Sequence, residues 1–280
     1  MKKKSILLFV SIIALLSFQY VNKANSLNLK ENTQENSYTY NNRESKDVTS
    51  DNQTNNILLP AKRNNISEQY LYRKAYTVSY NKKNILPNWV AWILTSSHCS
   101  GPYKRSGSKF VEDEDVPSPR ATDYDYVRSG YDRGHMCPAG DNKWSEESMQ
   151  QSFLLTNVCP QNQNLNRGDW NEIENACRSW AEKYGKVYIV CGPIFLNQKH
   201  KTIGKNKVTV PEAFFKVVLC MSGKPKAIGF ICRNTDGNRP KDAYVNSVDQ
   251  VERVTGYDFF HKLPNNIENK VEKEANINNW

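Results

Sequence analysis

Residues 156–174 read TNVCPQNQNLNRGDWNEIE, a polar stretch whose end leads into a helical pattern. After Asn166, Trp170, Ile173 and Cys177 recur at the spacing of one helix face, and Gly185 supplies a stop signal. The stretch therefore predicts a helix with one apolar face.

Two oxygen-bearing side chains, Asn166 and Glu174, fall on or beside that face. With about 100° per residue and Asn166 placed at 0°, Trp170 lies near 40° and Glu174 near 80°. An amide and a carboxylate turned toward a core need polar partners, and a cation bound by oxygen ligands would satisfy both. The pattern indicates a Mg²⁺ site in which the ion keeps several waters. The alternative is that Asn166 caps the helix and Glu174 is a rim residue.

A second polar motif, DRGH, lies upstream at Asp132, Arg133, Gly134 and His135. Imidazole is about half neutral near physiological pH, so His135 can take a proton from water during phosphodiester hydrolysis. The same reaction needs cationic groups near the phosphoryl oxygens, and an arginine precedes the histidine by two positions. The alternative is a histidine that is merely hydrogen-bonded in a turn.

The remaining pattern mixes strands and helices. Strands are predicted at 70–80, 89–95, 187–191, 213–220 and 226–232, and a helix at 245–255. Residues 100–130 are polar and contain Pro and Gly, which is typical of a loop. Because strands and helices do not alternate regularly, we expect the α+β class.

The N terminus has the pattern of a secretory signal, with three lysines followed by an apolar run over 5–18. We expect a signal peptide at 1–26, a disordered linker at 27–56 and one folded domain at 57–280. The protein would then be secreted or periplasmic, with no stable membrane association after cleavage; the alternative is an uncleaved anchor. Residues 1–26 hold four lysines and no acids, so their removal lowers the net charge from +9 to +5. A mildly basic protein suits transient contact with a polyanion.

Seven cysteines are compatible with disulfides, and their odd number leaves at least one thiol free or intermolecular. Their spacing contains no Cys-x-x-Cys pair, and there are only four histidines. A structural zinc site is therefore not expected.

DRGH together with TNVCPQNQNLNRGDWNEIE resembles the DNA/RNA non-specific endonuclease family, the ββα-metal nucleases. The similarity continues through RATDYDYVRSGYDRGH, VPEAFFKV and TGYDFF and covers about 57–280. It implies a central antiparallel sheet flanked by helices, with a ββα-metal motif. It also implies hydrolysis of DNA and RNA with one Mg²⁺, or Mn²⁺ as an alternative, to give 5′-phosphate products.

The resemblance also assigns the central residues of the site. His135 would be the general base, Asn166 would bind the metal, and Glu174 would hold it through water. Arg133 would lie near the phosphate, and Asp132 of the same motif joins the catalytic group.

The resemblance assigns three further positions, one of which has two candidates. Asn157 and Gln161 match polar residues that support the site. An upstream phosphate-stabilising arginine is expected, and Arg105 fits it best by its distance from the following Phe and acidic residues, with Arg120 as the alternative. The sequence predicts no oligomeric state.

Two other functions fit the sequence less well. A nucleic-acid-binding module without turnover would be expected to have lost the base or the metal ligand, yet His135, Asn166 and Glu174 are all present. A phosphodiesterase or phosphatase for small esters that used two metals would need a second His and Asp cluster, which the sequence does not offer.

Overall fold

A computed structural model describes residues 57–280. The signal peptide and the linker expected at 1–26 and 27–56 lie outside these residues. None of the helices in the described residues combines the length and the apolar composition of a membrane span.

The described chain forms eleven strands and six α-helices. The strands are β1 Gln69–Tyr72, β2 Thr77–Asn81, β3 Leu86–Thr95, β4 Asp132–His135, β5 Val158–Gln161, β6 Lys186–Ile194, β7 Thr202–Ile203, β8 Val208–Thr209, β9 Ala213–Cys220, β10 Lys226–Arg233 and β11 Val245–Asn246. The helices are α1 Asp123–Tyr126, α2 Glu146–Ser152, α3 Gln163–Arg167, α4 Asp169–Tyr184, α5 Val248–Thr255 and α6 Asn265–Val271.

Seven strands make one antiparallel sheet in the order β1-β2-β3-β6-β9-β10-β11. Strand β9 shows why both faces are covered: Phe214 and Val218 belong to one apolar cluster, and Phe215 and Val217 to a second. We call the side that α4 covers the front face, and the side that α5 and α6 cover the back face. The predicted α+β fold with a central antiparallel sheet is confirmed.

The strands predicted at 89–95, 187–191, 213–220 and 226–232 are present within β3, β6, β9 and β10. The single strand predicted at 70–80 is wrong. The chain turns back between Tyr72 and Thr77, where the Arg73 N–H donates to the Tyr76 carbonyl over 2.8 Å. This turn contains no Gly or Pro, so no turn was predicted there.

Two other boundaries differ from prediction. The helix predicted at 245–255 begins only at Val248, because Ser247 caps it and exchanges hydrogen bonds with Gln250. The residues before that cap pair with β10 as the short strand β11. The loop predicted at 100–130 contains one short helix, α1.

The helix expected to run through Asn166 and Glu174 is broken. Gly168 separates α3 from α4, with φ −103° and ψ −106°, and a Cβ at this position would lie 2.7 Å from the Asn164 carbonyl oxygen. Asn166 and Glu174 therefore stand on different helices. The predicted angle of about 80° between them assumed one continuous helix and is wrong. The predicted apolar face of α4 and its end at Gly185 are confirmed.

All seven cysteines lie within the described residues, and all are buried free thiols. They pack as small apolar side chains. The disulfides with which the sequence is compatible are not formed here.

Candidate active site

Strands β4 and β5 pair antiparallel, and helices α3 and α4 follow β5 along the chain. His135 is the last residue of β4 and lies opposite Val158. Asn166 stands on α3, and Glu174 stands on α4. This arrangement is the ββα motif that the resemblance implies.

One cleft of about 700 Å³ lies over this motif. The predicted residues that line it are His135, Arg133, Arg105, Asn166 and Glu174. Asp132, Asn157 and Gln161 are not among its lining residues. The structure thus brings five of the eight predicted site residues to one surface, and the other three do not line it.

His135 packs against two aromatic rings that also contact each other: its ring centroid lies 5.0 Å from that of Phe110 and 5.0 Å from that of Phe153, and the two phenylalanine centroids are 5.1 Å apart. It is only 9% exposed, and its Nε2 has no hydrogen-bond partner within 57–280. Burial, and then the charge of Arg105, lower the pKa of His135 to about 3. The imidazole is therefore neutral at physiological pH, which is the form that accepts a proton.

Asn166 is oriented by its neighbour on β4. Its Nδ2 donates to Asp132 Oδ2 over 3.1 Å. Arg167 also binds this carboxylate through Nε and Nη2, at 2.8 and 2.9 Å. Burial alone would raise the pKa of Asp132, but the hydrogen bonds from Arg167 and Asn166 outweigh it and lower that pKa. The carboxylate is ionised and accepts only, so the amide oxygen of Asn166 is the atom left for a ligand.

Glu174 reaches the cleft from the front-face helix α4. Burial raises its pKa to about 7, while the charge of Lys216 acts in the opposite direction. Lys216 is buried beneath the site, with its ammonium 4.5 Å from the ring of Trp170 and 5.0 Å from that of Trp92. A cation in the cleft would further favour the ionised form of Glu174.

Arg133 is fixed at the cleft by Asp123, with 2.5 Å between Nε and Oδ1. Its Nη2 also donates to the Asp123 carbonyl over 2.9 Å. The guanidinium stacks 5.7 Å from the ring of Phe110 and 5.5 Å from that of Tyr126. These contacts orient a cation beside His135.

The two candidates for the upstream arginine are separated by the structure. Arg105 lines the cleft, and its charge acts on both His135 and Glu174. Arg120 instead pairs with Glu112 over 3.0 Å and is not a lining residue of the cleft. Arg105 is the one placed to meet a ligand there.

Asn157 and Gln161 lie beneath the cleft and are fully buried. Asn157 exchanges hydrogen bonds of 2.9 and 2.8 Å with the backbone of Cys137, which fixes the chain just after His135. Gln161 packs against Gly134, where a Cβ would lie 2.2 Å from its Oε1. This close approach explains why a glycine precedes His135.

Sequence reasoning missed Arg178, which lines the cleft one turn beyond Glu174. Its Nη1 donates to Asp141 Oδ1 over 2.8 Å. The four-residue spacing from Glu174 places both side chains on one helix face and was a usable signal. The cleft carries six cationic side chains against one carboxylate: Lys104, Arg105, Arg133, Lys143, Arg167 and Arg178.

Comparison with known proteins gives one family. The model of the DNA/RNA non-specific endonuclease family matches residues 53–266. The mitochondrial nuclease EXOG of Danio rerio is 37% identical over 204 residues, which is 67% of this chain but only 60% of that protein. Nuclease C1 of Cunninghamella echinulata var. echinulata is 38% identical over 213 residues, covering 70% of this chain and 84% of that protein.

The fold also resembles a solved structure. A crystal structure of the EndoG/EndoGI complex contains a chain with a TM-score of 0.71 and 28% identity. The match covers 79% of this chain and 96% of that one. The similarity thus extends over most of the described residues.

Proposed function

We propose that this chain, which belongs to the DNA/RNA non-specific endonuclease family, is a metal-dependent endonuclease. It would hydrolyse phosphodiester bonds in both DNA and RNA. The observation that carries the proposal is the convergence of His135, Asn166 and Glu174 on one cation-rich cleft. A base, two oxygen donors and several cations are the groups that phosphodiester hydrolysis needs.

The donor atoms fit a hard divalent cation. Asn166 offers an amide oxygen whose orientation Asp132 fixes, and Glu174 offers a partly buried carboxylate. Mg²⁺ takes few protein oxygens and keeps several waters, so Asn166 would hold it directly and Glu174 through water. Mn²⁺ would fit the same donors. When bound, the ion supplies positive charge that stabilises the phosphoryl oxygens and the leaving 3′ oxygen.

His135 would act as the general base. Its neutral ring accepts a proton from the attacking water, and the two flanking phenylalanine rings hold it in one orientation. A pKa of about 3 makes a weak base, but an incoming phosphodiester brings negative charge that favours the imidazolium and raises this pKa. Binding of the substrate would thus make His135 a stronger base.

Arg133 and Arg105 would neutralise charge on the scissile phosphate. Arg133 is pre-oriented by Asp123, whereas Arg105 stands on an exposed loop at the mouth of the cleft. Asp132, Asn157 and Gln161 would position the other groups without touching the substrate.

The proposed site suits both nucleic acids. Contacts to phosphate carry no direct sequence information, so cleavage should show little sequence preference. Attack by water does not use the ribose 2′-OH, and hydrolysis would leave 5′-phosphate ends.

We also propose that the protein is exported. The three lysines and the apolar run at 5–18 support a signal peptide over 1–26, and the polar composition of 27–56 supports a disordered linker before the domain at 57–280. The mature domain would then act without stable membrane association. Mass spectrometry of the protein recovered from culture medium and from cells tests this, because an uncleaved anchor keeps the full-length mass with the cells.

The catalytic proposal is tested by digestion of plasmid DNA and of a structureless RNA by the purified chain. We expect both to be cut with Mg²⁺ and neither with EDTA. A binding module would retard both without cutting them, and an enzyme for small phosphate esters would hydrolyse bis(4-nitrophenyl) phosphate while leaving both polymers intact.

A further inference from the structure

Three carboxylates gather on the back face of the sheet, away from the cleft. Asp249 and Glu252 stand on α5, and Glu272 follows the end of α6. One oxygen from each lies within 4.8 Å of the others. The helices that carry them pack through Val251 and Val271 into the back-face cluster, whereas the cleft stands over the front face.

The positions of these carboxylates are held by the backbone. The Asp249 N–H donates to the Glu272 carbonyl over 3.1 Å, which ties the start of α5 to the end of α6. One oxygen of Glu252 accepts from the Phe259 N–H over 2.8 Å. The three groups are therefore brought together by the fold rather than by free rotation of exposed side chains.

Glu272 is the unusual member of the group. Its side chain lies among buried residues with only 6% exposure. Its Oε1 has no hydrogen-bond partner in the described part of the chain. A buried carboxylate oxygen without a donor is unfavourable, and the carboxylate of Glu272 lies beside two further carboxylates.

No basic side chain forms an ion pair with any of the three within 57–280. Glu268 and Asp258 add further negative charge nearby. Burial, and then these like charges, raise the pKa of Glu272 to about 9. At neutral pH the cluster therefore needs either a shared proton or a bound cation.

We propose that Asp249, Glu252 and Glu272 bind one Ca²⁺ ion that fastens the C-terminal helix α6 to α5. Because the three ligand oxygens lie within 4.8 Å of one another, all of them can reach one ion at the Ca²⁺–oxygen distances of about 2.3–2.6 Å. Three carboxylates also exceed the one or two that Mg²⁺ usually takes from a protein. The ion would coordinate the unpartnered oxygen of Glu272 and would neutralise the repulsion among the three carboxylates.

This site is structural and separate from the proposed catalysis. It would stabilise the back face without contributing an atom to the cleft. Loss of Ca²⁺ binding and loss of nuclease activity can therefore be distinguished by experiment.

The test uses the full chain after EDTA treatment and dialysis. Binding of radiolabelled Ca²⁺ is measured by equilibrium dialysis, and the midpoint of thermal unfolding, Tm, is measured with and without 10 mM CaCl₂. Both are done in an Asn166→Ala/Glu174→Gln background, which removes the proposed catalytic metal ligands. To this background we add either Glu272→Gln or the matched control Glu114→Gln, which removes an exposed acid outside the cluster.

We expect one Ca²⁺ per chain in the background protein and in the Glu114→Gln control. With a Kd of about 10⁻⁴–10⁻³ M, 10 mM Ca²⁺ should raise Tm by roughly 3–10 °C. Glu272→Gln should fold, because it removes a buried charge, but should lose the bound ion and the rise in Tm. The proposal is overturned if the background protein binds no Ca²⁺, or if Glu272→Gln binds and responds like the control; the first result means that a shared proton satisfies the cluster.

Discussion

The side-chain amide of Asn166 donates to the carboxylate of Asp132, with 3.1 Å between Nδ2 and Oδ2. An ionised carboxylate can only accept, so this contact decides which end of the Asn166 amide remains for a ligand. Asp132 is at the start of β4 and Asn166 is on α3, so the contact joins the DRGH strand to the proposed metal ligand. The base and the metal ligand are thereby coupled through one strand.

Asp132→Asn should weaken metal binding without removing a metal ligand. The new amide no longer fixes the orientation of Asn166, and it loses the ion pair with Arg167. Loss of a group that orients a metal ligand costs about 10–100-fold in metal affinity or activity. The Mg²⁺ concentration for half-maximal cleavage should rise accordingly, whereas Glu112→Gln, which breaks the exposed pair with Arg120, should leave it unchanged. An unchanged Mg²⁺ requirement in Asp132→Asn would contradict this role.

Arg105→Ala and Arg120→Ala should differ sharply in activity. Arg105 lines the cleft, so its loss removes a cation placed to stabilise charge on the phosphate, with about a 10²–10³-fold fall in kcat. Arg120 pairs with Glu112 outside the cleft, so its loss should leave kcat near that of the parent. Steady-state cleavage of a labelled duplex at saturating Mg²⁺ measures both. Equal losses in the two variants would rule out the assignment of Arg105.

Arg178→Met should destabilise the fold. Arg178 pairs with Asp141, which is 2% exposed, so the change leaves a buried carboxylate without its cation. Breaking such a pair costs about 3–5 kcal/mol in the free energy of unfolding. The matched change Arg120→Met breaks a more exposed pair and should cost about 1 kcal/mol or less. Urea denaturation at pH 7 compares them, and similar losses would show that Asp141 does not depend on Arg178.

The sequence predicted the sheet strands best where apolar residues run without interruption, as in β9. It could not locate the break at Gly168, because the apolar spacing of the helix does not register a change of backbone direction at one glycine. The turn after Tyr72 lacks Gly and Pro, so a single strand was the natural interpretation. By contrast, the cap at Ser247 and the spacing of Arg178 from Glu174 were both present in the sequence as usable signals.

The two sequence motifs predicted residues that line the site, but they could not predict which side chains pack around those residues. The two rings beside His135 come from Phe110 and Phe153, which lie far apart in sequence from the DRGH motif. Burial of the histidine follows from this tertiary packing. For the same reason the sequence could not show that all seven thiols are buried and unpaired.

Burial of His135 should make the protein acid-sensitive. The folded pKa of His135 is about 3, below the unfolded value of about 6.5, so the unfolded chain binds more protons between these values. Stability should therefore be unaffected by this group above pH 6.5 and fall as the pH drops toward 3. At pH 4.5 the loss is about 2–3 kcal/mol.

His135→Gln provides the comparison, because glutamine cannot take up this proton. Urea denaturation of both proteins at pH 7.5 and pH 4.5 gives the change in the free energy of unfolding for each. Between pH 7.5 and pH 4.5 the free energy of unfolding should fall by about 2–3 kcal/mol less in His135→Gln than in the parent. Identical pH dependence in the two proteins would mean that His135 is not buried in its neutral form.

The central claim is that His135 takes the proton from the attacking water, and single-turnover cleavage of an end-labelled DNA duplex tests it most directly. With saturating Mg²⁺, His135→Ala should cleave about 10²–10⁴-fold more slowly than the parent. The control His261→Ala, at a partly buried histidine that does not line the cleft, should stay within about twofold. Added imidazole should restore part of the lost rate, because it can occupy the space that the His135 ring leaves beside Phe110 and Phe153. A folded His135→Ala protein that cleaves at the parental rate would contradict the account.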